Sequence, residues 1–548
     1  MLYTARAFNG MVVTPHRLAS ESGIAVLRKG GNAIEAAIAA AASLCVVYPH
    51  MTGIGGDAVW IILPAPEHRD DQPEPVIIDA CGRSAQAAGL DWYKKQGCDA
   101  IPARGPLAAL TMAGAVSGWE AALTMAEDWA RRRSLPSLGL ETLFEDAVGL
   151  AENGCPVSAS QSVTTASLID ELAGLPGFAQ TFLMNGRAPG RGKRQRFPAL
   201  ARTFRRLAQQ GLDSFYRGDL ALEMAEDLAA AGSPLAYEDF SAHAAEIKKP
   251  ISLEAFGTRI YSSPPPTQGF CSLLILGLVE RFAQKYQCNF HDRASLIHSV
   301  VEATKLAFLL RDRMLADPKA QGVESLLTPE YIEKLLRRMS PDHTLPWPPP
   351  ENGAAGAPGR DTVWIGVMDA YGDTVSCIQS IYHEFGAGLI LPRSGVIWHN
   401  RGLGFSVRPG YPNALGPGKK PFHTLNPALA RFNDGRIITY GAMGGDGQPQ
   451  TQAAIFLRHL LLGAPLQGAV NETRWLLGRS WGEESHSLKL EQGFSSDCVR
   501  QLRGLGHNIE MAPAFSSLMG HAGMLARHPD GLLEGAFDPR GDGAAACW

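Results

Sequence analysis

The segment SPDHTLPWPPPENGAAGAPGRD, residues 340–361, limits what the rest of this chain can fold into. Pro, Gly and Ala without a period of 2 or 3.6 offer no face to bury, so the segment reads as an exposed, mobile linker. Beyond it the composition reverses. The runs VWIGVM (363–368) and TVSCIQSI (374–381) flank DAYGD, and together they read as a β-hairpin. The linker is therefore expected to deliver the chain to Thr362, the first residue of a new strand.

The 548 residues are 45% hydrophobic and 19% charged, far too apolar for disorder. At about 150 residues per domain they call for several cores or one large layered one. A formal net charge of −4 leaves no basic footprint, so nucleic-acid binding is not expected. The opening MLYTARAFNG lacks the charged start and unbroken apolar run of a secretory signal. The longest apolar run, residues 36–48, is too short to cross about 30 Å of hydrocarbon, so no membrane partner is expected. The nine cysteines form no CxxC pair and no zinc-spaced cluster with histidine. They read as free thiols in a reducing, cytoplasmic compartment, and neither a metal nor another cofactor is expected.

Local signals place some elements. Leu18, Ile24 and Leu27 share a helical face over residues 17–29, and Gly30 and Gly31 end that helix. Asn32 caps the next, Glu35 closes a capping box, and residues 36–48 are its buried body. Residues 58–63 and 76–79 read as buried strands, and long helical stretches run from 107 to about 232. Within them Arg191, Lys193, Arg194, Arg196, Arg202, Arg205 and Arg206 read as a solvated basic face. The spacing Gly53-x-Gly55-x-x-Ala58 imitates a dinucleotide fingerprint. It comes after a helix and before a strand, the reverse of the order that such a site needs.

The chemistry centres on Thr362. A threonine hydroxyl is a poor nucleophile without a neighbouring base. A cut between Asp361 and Thr362 would free an α-amine, of pKa about 7.7–8.0, on the same residue as the hydroxyl. The residues alone leave an ordinary strand threonine as the alternative.

Five blocks narrow the choice: TPHRLASESGIAVLRKGGNAIEAAIAAAASLCVVYPHMTGIGGD, SSPPPTQGF, DTVWIGVMDAYGDTV, GPGKKPFHTLNPAL and GAMGGDGQPQTQ. Their order resembles the gamma-glutamyltranspeptidase-like family of N-terminal nucleophile hydrolases, over nearly the whole chain from about residue 12. The resemblance implies an α+β fold, a four-layer αββα sandwich with additional helices from the large subunit. It implies a precursor that cuts itself before Thr362 and whose two chains, a large subunit of residues 1–361 and a small subunit of 362–548, stay associated, with a dimer of such heterodimers left open. It gives Ser380 as the hydroxyl beside the nucleophile, and Gly444 and Gly445 as the oxyanion hole. Glycine suits that role because it lets a substrate approach the backbone closely.

Departures from the family pattern bear on the substrate. In Asp79-Ala80-Cys81-Gly82-Arg83, Cys81 takes the place of the arginine that clamps a glutamyl carboxylate. His423-Thr424 replaces a Ser-Ser pair, Tyr382 and Gly404 replace the residues that hold the α-amine, and Arg401 replaces a glutamine. A pocket without an acid disfavours a substrate ammonium. Arg401, Arg83 and His423, with Thr424 and Tyr382, suit a small anionic acyl group instead. Within the family this is most similar to the branch that hydrolyses oxamate to oxalate and ammonia in purine nitrogen catabolism. The alternatives are a gamma-glutamyltransferase or glutathione hydrolase, a cephalosporin-type acylase, and an uncut binding protein on the same scaffold.

Overall fold

The computed structural model describes residues 3–66, 72–314, 322–347, 361–411, 413–478 and 485–548. The first helices form where their capping signals place them. In α1 (Arg17–Arg28) the His16 ring accepts the Leu18 N–H. In α2 (Ala33–Val47) Asn32 and Glu35 close the capping box. Every residue of α2 is buried, and its run of alanines lets it pack between α1 and the strand Asp361–Asp369. The hairpin turn grips the same helix, because Asp369 Oδ2 accepts the Ala33 N–H at 2.9 Å.

Two seven-stranded sheets form from the strand-rich segments. The first runs Ala544–Cys547, Gly10–Thr14, Asp361–Asp369, Thr374–Tyr382, Asp57–Leu63, Val76–Ala80, Glu246–Lys248, and every pairing is antiparallel. The second runs Ala5–Ala7, Leu533–Phe537, Ala522–Arg527, Ile437–Ala442, Ala428–Phe432, Thr258–Ser262, Ile251–Ala255. Met11, Val59, Ile61, Trp364, Leu429 and Leu525 fill the space between them. α2 and the helices Ala115–Arg133, Leu140–Asn153 and Pro198–Gln210 cover the outer face of the first sheet. Gly269–Tyr286, Arg293–Met314 and Gln448–Leu462 cover that of the second. The result is the αββα order that the resemblance implies.

Trp364 shows how the inner layer closes. A Cβ at Gly366, Gly441 or Gly523 would come within 2.4, 2.1 or 2.3 Å of its ring, so three strands give up side chains to admit one indole. Its Nε1–H donates to Ser376 Oγ at 2.9 Å.

One expectation changes. Residues 340–347 are tied down rather than free. His298 Nε2 donates to the Ser340 carbonyl at 2.7 Å, Lys305 Nζ to that of Leu345 at 2.9 Å, and Leu345 N–H to Glu302 Oε2 at 2.6 Å. Composition carries no sign of these partners, which come from a distant helix. Residues 348–360 of the expected linker lie outside the described residues. The basic face is mostly exposed as expected, with Arg205 paired to Glu152 and Arg206 to Glu223.

Candidate active site

The register of the hairpin shifts between Asp361, opposite Tyr382, and Val363, opposite Gln379. Thr362 sits at that irregularity, a device that re-aims a side chain. It is 3% exposed, and its Oγ1 donates to Ser380 Oγ at 3.4 Å. Ser380 stands opposite Asp57 on the next strand. Thr362, Ser380 and Asp57 thus occupy three adjacent strands, each about 4.8 Å from the next. The GIGGD loop makes this row possible. A Cβ at Gly56 would meet the Ser380 carbonyl at 2.2 Å, and one at Gly55 the Ile397 carbonyl at 2.1 Å. These glycines serve close backbone packing rather than a dinucleotide.

From Ser380 the contacts run onward. Its Oγ accepts the Tyr382 N–H at 2.8 Å, and Tyr382 is held at φ +78, a conformation costly for a bulky side chain. Arg401 Cζ lies 3.5 Å from the Tyr382 ring centroid, a close cation–π contact. Arg401 is 2% exposed, and its Nη1 donates to Thr424 Oγ1 at 3.2 Å. Among the described residues its Nε and Nη2 have no hydrogen-bond partner. Gln268 Nε2 then donates to the carbonyls of both Thr424, at 2.9 Å, and Gly445, at 2.8 Å. Gly444 and Gly445 have φ of +118 and +53, and their neighbour Met443 lines one small cleft with Thr362 and His521. Sequence-distant residues are thus linked in one chain of contacts that starts and ends beside Thr362.

Asp57 anchors the far side. Its Oδ1 accepts the Gly82 N–H at 2.9 Å, while Oδ2 lies 3.0 Å from His423 Nε2 and 3.2 Å from His399 Nδ1. Burial alone would raise the Asp57 carboxyl, but His399 and His423 together hold it well below the usual carboxylate range. His399 Nε2 donates to the Thr111 carbonyl at 2.9 Å. Burial, and then the Arg401 charge, bring His423 down to about 4. A neutral His423 that donates its Nε2–H to Asp57 keeps a lone pair on Nδ1, which has no partner among the described residues. The first correction follows: in this form His423 offers an anionic acyl group an acceptor rather than a donor.

Arg83 is the second correction. It is half-exposed, pairs with Glu246 Oε1 at 2.9 Å and donates to the Gly418 carbonyl at 3.2 Å, so its charge is engaged at the surface. Nearby Asp79 sits between Lys248 and Lys420, and burial pushes the Cys81 thiol up. Gly404 could not carry an acid in this geometry. Its Cβ would lie 2.9 Å from the Phe422 carbonyl and 3.6 Å from Arg401 Nη2.

Sequence reading passed over Asp57, His399 and Gln268. Asp57 and Gln268 stood in quoted blocks and His399 in none, and Asp57's partner His423 lies 366 residues away. It also passed over His298, Glu302 and His507, whose ligand-type atoms lie within 4.8 Å of one another. Here His298 Nδ1 and His507 Nε2 share a hydrogen bond at 2.9 Å, and Glu302 holds Lys305 at 2.6 Å.

The layered fold is that of the N-terminal nucleophile hydrolases, and this chain is an amidohydrolase of that class. It belongs to the gamma-glutamyltranspeptidase family, whose pattern it matches over residues 19–548. It is 51% identical over 540 residues to the oxamate amidohydrolase proenzyme of Klebsiella pneumoniae, covering 98% of each chain. It is 39% identical over 541 residues to the glutathione hydrolase-like YwrD proenzyme of Bacillus subtilis, again covering 98% of each. Among solved structures, cephalosporin acylase from Bacillus halodurans superposes with a TM-score of 0.87 at 30% identity, covering 100% of this chain and 97% of that one.

Proposed function

We propose that the chain cuts itself between Asp361 and Thr362 and then hydrolyses oxamate to oxalate and ammonia. In the uncut chain the Thr362 nitrogen is an amide and has no basicity. Its hydroxyl adds to the Asp361 carbonyl, the peptide nitrogen leaves as an amine, and water opens the resulting ester. The cut frees the amine that the hydroxyl needs. In turnover that amine takes the Oγ1 proton as the oxygen adds to the substrate carbonyl, and the N–H groups of Gly444 and Gly445 receive the oxyanion. The amine then returns the proton to departing ammonia. Water attacks the oxalyl ester and gives a proton to the same amine, which passes it to Thr362 Oγ1 as that oxygen departs and oxalate leaves.

The observation that carries the substrate reading is Arg401. A buried guanidinium with two nitrogens unpartnered is costly, and a carboxylate can satisfy both at once. Oxamate carries its carboxylate directly beside the reacting carbonyl, as this proximity requires. A glutamyl substrate brings an ammonium, and the place of its acid is filled by Gly404 against Phe422. Both seven-stranded sheets contain strands from 1–361 and from 362–548, which supports continued association of the two products. Nine unpaired cysteines support a reducing location, the cytoplasm. Incubation of the cut protein with oxamate, glutamine or glutathione, with assay of ammonia, oxalate and glutamate, tests the reading. Oxalate and ammonia are expected from oxamate; a preference for either glutamyl compound overturns it.

A further inference from the structure

Resting on the oxamate reading, we propose that Asp57 positions His423 as the acceptor for the substrate's amide N–H, so that the site selects an unsubstituted amide beside a carboxylate over the corresponding ester. The proton on the His423 side of Asp57 can be placed. Its carboxylate is an acceptor only, and it already takes the Gly82 N–H on Oδ1. His423 Nε2, 3.0 Å from Oδ2, must therefore carry the ring proton. The tautomer is fixed by the hydrogen bond that the other nitrogen makes, so Nδ1 is left as a lone pair.

Among the described residues that lone pair is buried and unpartnered, as are Nε and Nη2 of Arg401. Their proximity is set by the chain itself, since Arg401 Nη1 binds the hydroxyl of Thr424, the residue after His423. Buried polar groups without partners call for a ligand or water. Two donors and one acceptor match two carboxylate oxygens and one N–H, which is the edge that an oxamate anion presents. The guanidinium also disfavours a second proton on the ring and so keeps the acceptor in place. Asp57 is itself held rigidly, with Ser380 opposite it on the next strand and His399 on its other side. It acts through His423 and is a positioning residue.

The test compares oxamate with the monomethyl ester of oxalate, which has the same carboxylate and carbonyl but no N–H. In Asp57→Asn the new amide can donate to His423 Nε2 and turn the ring to its Nδ1–H form. His423→Phe removes the acceptor while leaving His399 on Asp57. For both variants the ratio of kcat/KM for oxamate over ester should fall about tenfold, with ester turnover largely kept. Nitrogen-15 NMR of histidine-labelled protein should show His423 Nδ1 unprotonated in the unmodified enzyme and protonated in Asp57→Asn. Arg401→Ala should instead weaken both compounds together. An unchanged ratio in both variants, or an Nδ1–H in the unmodified enzyme, sinks the selection alone. Failure of the unmodified enzyme on both compounds sinks the oxamate reading and the selection with it.

Discussion

Arg401 is kept in place by a ring face and one hydroxyl, and among the described residues its Nε and Nη2 have no partner. Its worth should therefore appear in binding rather than folding. Arg401→Ala is expected to lower kcat/KM for oxamate by a factor on the order of 10–100 while the cut proceeds, because self-cleavage uses no substrate carboxylate. Steady-state kinetics beside a denaturing gel checks both halves. Thr362→Ala should remain a single full-length chain on the same gel, for want of a hydroxyl; two bands would move the nucleophile elsewhere. At this scale part of the candidate site was legible, since Thr362, the glycine pair and His423 stand in the quoted blocks, Ser380 ends a strand run, and Arg401 was named as a departure from the family pattern. The rest was hidden by distance along the chain. Nothing near Asp57 announces His399 or His423, and nothing near Arg83 announces Glu246, 163 residues on.

The strand pair that presents the nucleophile depends on what neighbouring strands leave out. Gly441 lies on one strand of the opposite sheet, and a methyl there would come 2.1 Å from Trp364, two residues along from Thr362. Gly441→Ala is expected to destabilise the protein by about 1–3 kcal/mol, as overpacking does. It should also slow self-cleavage, because a displaced indole tilts the strand that carries the hydroxyl. Urea unfolding and a time course of band appearance measure the two effects; unchanged values in both would mean that the indole can shift freely. α1, α2 and the hairpin were readable because caps, glycines and turn residues act on neighbours within a few positions. Residues 340–347 were not, because Lys305, Glu302 and His298 hold them through backbone groups that any sequence would offer.

Across the whole molecule, burial leaves an unusual number of histidines reluctant to take a proton. His16, His243 and His423 are brought down to about 4, and His507 to about 3, from an ordinary value of 6.5. The unfolded chain binds more protons than the folded one between those limits. Their contribution to stability is therefore complete above pH 6.5 and is lost as pH falls toward 4. Each withdraws up to about 1.4 kcal/mol per pH unit across that window. The urea midpoint should drop from about pH 7 to about pH 5, and a flat profile would mean that these rings are protonated in the fold. The mixing of strands from the two sides of residue 361 has its own outcome for reversibility. Neither product of the cut contains a complete seven-stranded sheet. The intact chain can refold as one molecule, whereas the cut enzyme must bring two partners together at a rate that depends on their concentration. Diluting denaturant away should thus restore Thr362→Ala far more completely than the mature enzyme, so that maturation gives up the capacity to renature in gaining a catalytic amine.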